Sequence, residues 1–143
     1  MFLKFLILVF CFQLAMANLF GQKQSVAVVG MLKCKGKPSA GTKVKLYDND
    51  HFTTDDLMAQ SKTDNYGRFK LSGTAKEITK IDPKLNLYHD CNGDFPFTPC
   101  KWKITIKIPK SYITTGSHAP KVFDIGVLNL EGKFSGQKRD CIN

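Results

Sequence analysis

The sequence predicts an all-β fold, a two-sheet antiparallel sandwich of about seven strands with at most one short helix. Three observations carry that expectation. Apolar and polar residues alternate in run after run, the mark of strands with one buried face. Clusters of Gly, Pro, Asn and Asp separate those runs. Strands that are apolar on one side only need a second sheet to cover that side.

The elements follow in order. Ser25–Cys34 is an apolar run closed by Lys33-Cys34-Lys35, and Gly36-Lys37-Pro38 turns the chain. Lys43-Val44-Lys45-Leu46-Tyr47 alternates, and residues 48–56 form a polar loop rich in Asp. Leu57–Lys62 is a short strand. Asp64-Asn65-Tyr66-Gly67 is a turn signature, with Gly67 available for positive φ, so Leu57–Lys62 and Arg68–Leu71 are expected to form a hairpin. Ala75–Ile81 is the one short helix candidate. Residues 84–89 alternate again. Residues 101–108 give the clearest strand: Trp102, Ile104, Ile106 and Ile108 point one way, and Lys101, Lys103, Thr105 and Lys107 the other. Pro109 stops it, and Val122–Leu130 completes the set.

The N-terminus reads as an address. Lys4 precedes an apolar run, Phe5–Ala17, interrupted only by Gln13, and Ala15-Met16-Ala17 has the small-x-small pattern of a signal peptidase site. The expected division is a signal peptide over 1–17 and one β-sandwich domain over 18–143. The run falls short of the ~20 apolar residues of a spanning helix, and no later stretch reaches that length. The expected location is therefore extracellular.

Composition bounds the partners. The 143 residues carry 21 Lys+Arg against 12 Asp+Glu, a formal charge of +9, so anionic partners are favoured. Only Arg68 and Arg139 are arginines. Lysine is a hydrated point charge without the planar fork that reads bases and phosphates bidentately, which argues against nucleic acid. Hydrophobic residues at 43% and charged residues at 23% exclude collagen-like, coiled-coil and multi-pass membrane chains.

Four cysteines lie beyond the leader: Cys34, Cys91, Cys100 and Cys141. An even number without a CxxC pair points to two disulfides rather than zinc. Of three possible connectivities, Cys91–Cys100 is favoured because it closes a short loop. Cys34–Cys141 would then tie the C-terminus to the first strand.

Together these segments resemble a known family. Residues 28–38 (Val-Val-Gly-Met-Leu-Lys-Cys-Lys-Gly-Lys-Pro), Val44–Asp48, Thr63–Phe69, Leu87–Cys91, Ile108-Pro109 and Asp124–Leu130 are similar to the nematode transthyretin-like family. The resemblance implies a secreted, prealbumin-like sandwich of Greek-key type. It also implies extracellular roles: binding a ligand or anionic phospholipid, signalling, or bridging to a receptor. Family members are generally not enzymes. Related hydroxyisourate hydrolases end in a Tyr-Arg-Gly-Ser tail, whereas this chain ends in Lys138-Arg139-Asp140-Cys141-Ile142-Asn143.

Three clusters are candidate sites. Asp48, Asp50, Asp55 and Asp56 could gather around calcium, but they lack the Gly and Glu positions of an EF-hand loop, and Asp also serves turns. His51, His89 and His118 have no accompanying nucleophile motif, so His89 is expected to be structural and no catalytic residue or cofactor is assigned. The third cluster is basic. Lys101, Lys103 and Lys107 share one strand face, and Lys33 with Lys35, and Lys43 with Lys45, repeat the spacing. In one sheet they would form a stripe for an anionic membrane surface, acidic glycan or receptor; plain solubility is the competing role. Phe95 and Phe97 are expected to fold inward and cap the sandwich. The leading expectation is a non-enzymatic binding or bridging protein, monomeric in preference to oligomeric. The alternatives are a carrier of a small hydrophobic ligand and, third, a hydrolase.

Overall fold

A computed structural model describes residues 1–50, 53–93 and 99–142. An N-terminal helix α1 (Phe2–Leu19) precedes the β domain, and its described side chains are exposed. Among the described residues no helix is long and apolar enough to cross a membrane. The strands are β1 (Gln22–Cys34), β2 (Lys37–Pro38), β3 (Lys43–Asp48), β4 (Asp56–Lys62), β5 (Arg68–Glu77), β6 (Pro83–His89), β7 (Lys101–Lys107), β8 (Thr114–Thr115), β9 (Val122–Asn129) and β10 (Lys138–Asp140). The seven longer strands match the seven alternating runs; β2, β8 and β10 are short additions.

Two sheets face each other. In the first, β1 is central, with β2 and β5 along one side and β8 and β9 along the other. All pairings among these are antiparallel except β1 with β9, which is parallel. The second sheet has the order β10-β7-β6-β3-β4 and is antiparallel throughout. Alternation decides what lies between them. On β3, Val44 and Leu46 are fully buried while Lys43 and Lys45 are half-buried on the other side. On β5, Phe69 and Leu71 point inward between exposed Arg68, Lys70 and Ser72. These meet Val26, Val28, Leu32, Leu85, Leu87, Ile104, Ile108 and Leu130 in one core. Trp102 shares the inward parity but sits at the margin, half-buried, with the Arg139 guanidinium 4.1 Å from its ring centroid.

Three local expectations are corrected. Ala75–Glu77 is strand, not helix, because Gln22, Lys23 and Gln24 of β1 pair with Glu77, Lys76 and Ala75. Tertiary pairing overrides the helix preference of Ala-Lys-Glu. The turn at 64–67 exists, yet it joins the two sheets instead of closing a hairpin: β4 pairs with β3, and β5 with β1. Asp64 Oδ1 accepts the N–H groups of Tyr66 and Arg68, which holds its carboxyl below the usual carboxylate range. Gly67 stands at φ +74°, where its carbonyl accepts the Leu32 N–H and a Cβ would come 2.3 Å from the Leu32 oxygen. Only glycine fits there.

The cysteine pairing is the third correction. All four cysteines are bridged, as Cys34–Cys91 and Cys100–Cys141, not as Cys34–Cys141 and Cys91–Cys100. Strand register explains it. Asp140 lies opposite Lys101 on β7, so the next residues outward, Cys141 and Cys100, face each other. Cys34 ends β1 and Cys91 follows β6, which brings their Cα atoms to 5.6 Å. Phe95, Phe97 and His51 lie outside the described residues.

Candidate functional site

The outward face of the second sheet collects the lysines. Strand register lines up Lys62 of β4, Lys43 of β3, Tyr88 of β6, Lys103 of β7 and Lys138 of β10 in one row across five strands. A second row holds Gln60, Lys45, Asn86 and Thr105, and a third holds Tyr47, Lys84 and Lys107. Lys101 shares the outward parity of Lys103.

Hence Lys43 and Lys45, and Lys101, Lys103 and Lys107, do share a face, with β6 between their strands. Lys33 and Lys35 do not. Lys33 lies on β1 of the other sheet, and Lys35 follows that strand at φ 51°. The stripe expected from the sequence is therefore corrected by removing these two. Lys62, Lys84 and Lys138, which the sequence reading passed over, join it. Their neighbours in sequence gave no sign, because register alone places them there.

Three aspartates balance part of this charge. Lys103 Nζ lies 2.6 Å from Asp140 Oδ2, Lys84 pairs with Asp55, and Lys101 pairs with Asp90. The hydrogen bond from Lys103 is the main reason that the Asp140 carboxyl titrates below its ordinary range. Among the described residues, eight lysines against three aspartates give the face a formal excess of five positive charges. Its centre is ordered by polar contacts. Thr105 Oγ1 donates to Asn86 Oδ1 at 2.8 Å, and Lys45 Nζ stands 5.6 Å from the Tyr88 ring centroid. Burial pushes the Tyr88 hydroxyl up to about 12, so it stays protonated at neutral pH.

Beside the first row is a recess of about 480 Å³, lined by Lys43, Lys62, Lys101 and Asp90 together with the loop Ser39–Thr42. That loop is pinned from below. Thr42 N–H donates to Thr63 Oγ1 at 2.9 Å, Gly41 N–H donates to the Thr63 carbonyl at 3.0 Å, and Ser39 and Thr42 share a hydroxyl hydrogen bond of 2.8 Å. His89 also lines the recess. Its Nδ1 accepts the Cys91 N–H at 3.1 Å, while its buried Nε2 has no hydrogen-bond partner among the described residues. Burial first, and then the Arg139 charge, hold the imidazole below its ordinary pKa, against the pull of Asp90. His89 is thus a buried, neutral ring at neutral pH.

The acidic residues assemble differently from the sequence expectation. Asp48 and Asp50 bring their carboxylates together with Glu77, all within 4.8 Å of one another. Asp55 instead pairs with Lys84, and Asp56 lies opposite Asp48 in register. Asp48 is almost fully buried and accepts the Asp82 N–H at 2.7 Å. Desolvation, followed by Asp50, Asp56 and Asp82, raises its carboxyl against that hydrogen bond. Glu77 was missed because it arrives from β5, far along the chain.

The sequence profile described as the Transthyretin-like family matches residues 29–109. Transthyretin-like protein 5 of Caenorhabditis elegans is 48% identical over 139 residues, covering 96% of this chain and 99% of that protein. Transthyretin-like protein 2 of the same organism is 44% identical, covering 90% of each chain. Transthyretin-like protein 33 is 46% identical over 121 residues, covering 84% of this chain and 83% of that protein. A family profile across more than half of the sequence, and relatives matched nearly end to end, place this chain in the transthyretin-like family.

Proposed function

We propose that this is a secreted, non-enzymatic binding protein that engages an anionic cell surface through the outward face of its second sheet, alone or as a bridge to a receptor. The observation that carries the reading is the row of four lysines, two on either side of Tyr88, that crosses the five strands. Near an anionic surface each such lysine contributes about 1 kcal/mol, so five net charges give binding that physiological salt weakens but does not abolish. Export is supported by the leader-like N-terminus and by two disulfides, which persist in oxidising compartments.

The test is binding of the oxidised domain, at physiological salt, to two anionic probes: phosphatidylserine vesicles and immobilised heparan sulfate. Lys62→Glu/Lys107→Glu/Lys138→Glu is the comparison. These three are exposed, and the lysines that pair with Asp55, Asp90 and Asp140 are Lys84, Lys101 and Lys103, which the variant keeps. Binding to at least one probe, lost in the variant, supports the reading. Binding to neither, or equal binding by the variant, refutes it.

A second reading, carriage of a small apolar ligand, draws on a shallow recess of about 380 Å³ on the first sheet, lined in part by Val29, Met31, Phe69 and Val127. Native mass spectrometry of protein taken from its source would show a retained ligand; a bare chain would count against it.

A further inference from the structure

We infer that the lysine face takes a linear sulfated polysaccharide, laid across the strands along Lys62, Lys43, Lys103 and Lys138, with one sulfate seated in the recess beside Lys101. The inference rests on the reading of this face as an anion-binding surface and names its partner.

Three observations favour a chain of sulfates over a bilayer. First, the cations are arranged as a line. Strands in a sheet lie about 4.8 Å apart, so a row crossing five of them runs roughly 19 Å, with Tyr88 at its middle. Second, the sheet twists, as all such sheets do. A flat bilayer meets a twisted row at only part of its length, whereas a flexible linear polyanion follows it. Third, the described residues of the face offer little that is apolar to a membrane interface. Among the described residues of its strands, Leu57 at the margin on β4 is the one exposed large aliphatic side chain, and exposed Ile142 follows β10 at the opposite margin. The exposed Val122 and Val127 belong to β9 of the other sheet.

The recess adds a seat of matching chemistry. Lys43, Lys62 and Lys101 line it with the Ser39–Thr42 loop, and so does Asp90, whose charge Lys101 balances. Ammonium donors suit a sulfate, which stays ionised at every physiological pH. The aspartates that would repel a polyanion are each already engaged by a lysine.

The experiment uses the oxidised protein with three probes: a heparin-derived octasaccharide, its desulfated counterpart, and phosphatidylserine vesicles. Two triple variants carry the same charge change. Lys43→Gln/Lys62→Gln/Lys138→Gln alters three lysines of the row, and Lys23→Gln/Lys70→Gln/Lys76→Gln alters exposed lysines of the first sheet. At about fivefold per lysine, the first triple weakens octasaccharide binding on the order of a hundredfold and flattens its salt dependence. The second leaves it within a few fold, and the desulfated probe binds neither the parent nor the variants. Vesicle binding without octasaccharide binding would overturn the polysaccharide and leave the anionic-surface reading intact. Equal losses from both triples would reduce the effect to net charge and overturn the site. Binding to no probe would sink both readings.

Discussion

Removing the Cys100–Cys141 bridge as Cys100→Ser/Cys141→Ser should have two separable effects. The bridge spans 41 residues in sequence. Opening a loop of that length returns chain entropy to the unfolded state worth about 4 kcal/mol, a large share of the roughly 5–15 kcal/mol that holds a domain folded. The folded state changes too. Without the bridge, the contacts that hold three-residue β10 include its backbone pairing with β7, the Lys103–Asp140 pair, the stacking of Arg139 on Trp102, and the Arg139 hydrogen bond to the Cys100 carbonyl. A cation–π contact contributes about 0.5–1 kcal/mol, and ordering each residue costs about 1–2 kcal/mol. These contacts do not outweigh the ordering of the tail, so β10 should detach and leave β7 as the edge. Urea unfolding at neutral pH should show a loss of about 4 kcal/mol, and hydrogen exchange should speed up selectively on the side of β7 that faces β10. Removing Cys34–Cys91, which spans 57 residues, should cost a similar amount without that exchange signature. A loss under about 1 kcal/mol with unchanged exchange on β7 would refute the reasoning, and peptide mapping that linked Cys91 to Cys100 would refute its premise.

Two further predictions test other parts of the fold. Gly67→Ala places a Cβ against the Leu32 carbonyl in a left-handed backbone conformation, so it should cost about 2–3 kcal/mol in denaturant unfolding; a loss under about 0.5 kcal/mol would mean that the turn relaxes freely. Because the folded-state pKa of His89 is depressed, stability is complete above the unfolded value near 6.5 and falls as pH drops below it, by at most about 1.4 kcal/mol per pH unit. Asp48 and Glu77, whose carboxyls are raised, act in the opposite sense and are common to both proteins. The difference between the parent and His89→Asn from pH 7 to 5 therefore isolates the histidine, and parallel curves would show that its ring is not buried neutral.

Much of this fold is legible residue by residue because a strand with one buried face must alternate. Val44 and Leu46 between Lys43 and Lys45, and Phe69 and Leu71 between Arg68 and Lys70, declare their inward sides without any partner in view. Partners are another matter. Nothing in Leu57–Lys62 or Arg68–Leu71 says that they belong to opposite sheets, since a turn with Asp64 and Gly67 serves a crossover as well as a hairpin. Ala75–Glu77 has helical preferences, and only the waiting edge of β1 makes it strand. The cysteine pairing follows from the register of β10 on β7, and register is a property of two strands at once. The candidate site divides the same way. The alternating lysines of β3 and β7 are visible in the sequence, whereas Lys62, Lys84 and Lys138 join them only through the sheet. Lys33 and Lys35 have the same spacing but leave for the other layer.

The parallel pairing of β1 with β9 sets the order in which the domain can be finished. Ala27 meets Val122, and Lys33 meets Asn129, so the first long strand waits for nearly the last one. Until then one side of β1 is a long apolar edge open to other chains. The second sheet faces a milder version of the delay, since β3, β4, β6 and β7 are all made before β9. A nascent chain can therefore assemble the lysine-bearing layer early, while its covering layer stays incomplete until synthesis is almost over. Contacts of such long sequence separation slow folding and lengthen exposure. Aggregation during production should thus respond most to changes along β1 and β9, even where the finished protein tolerates them.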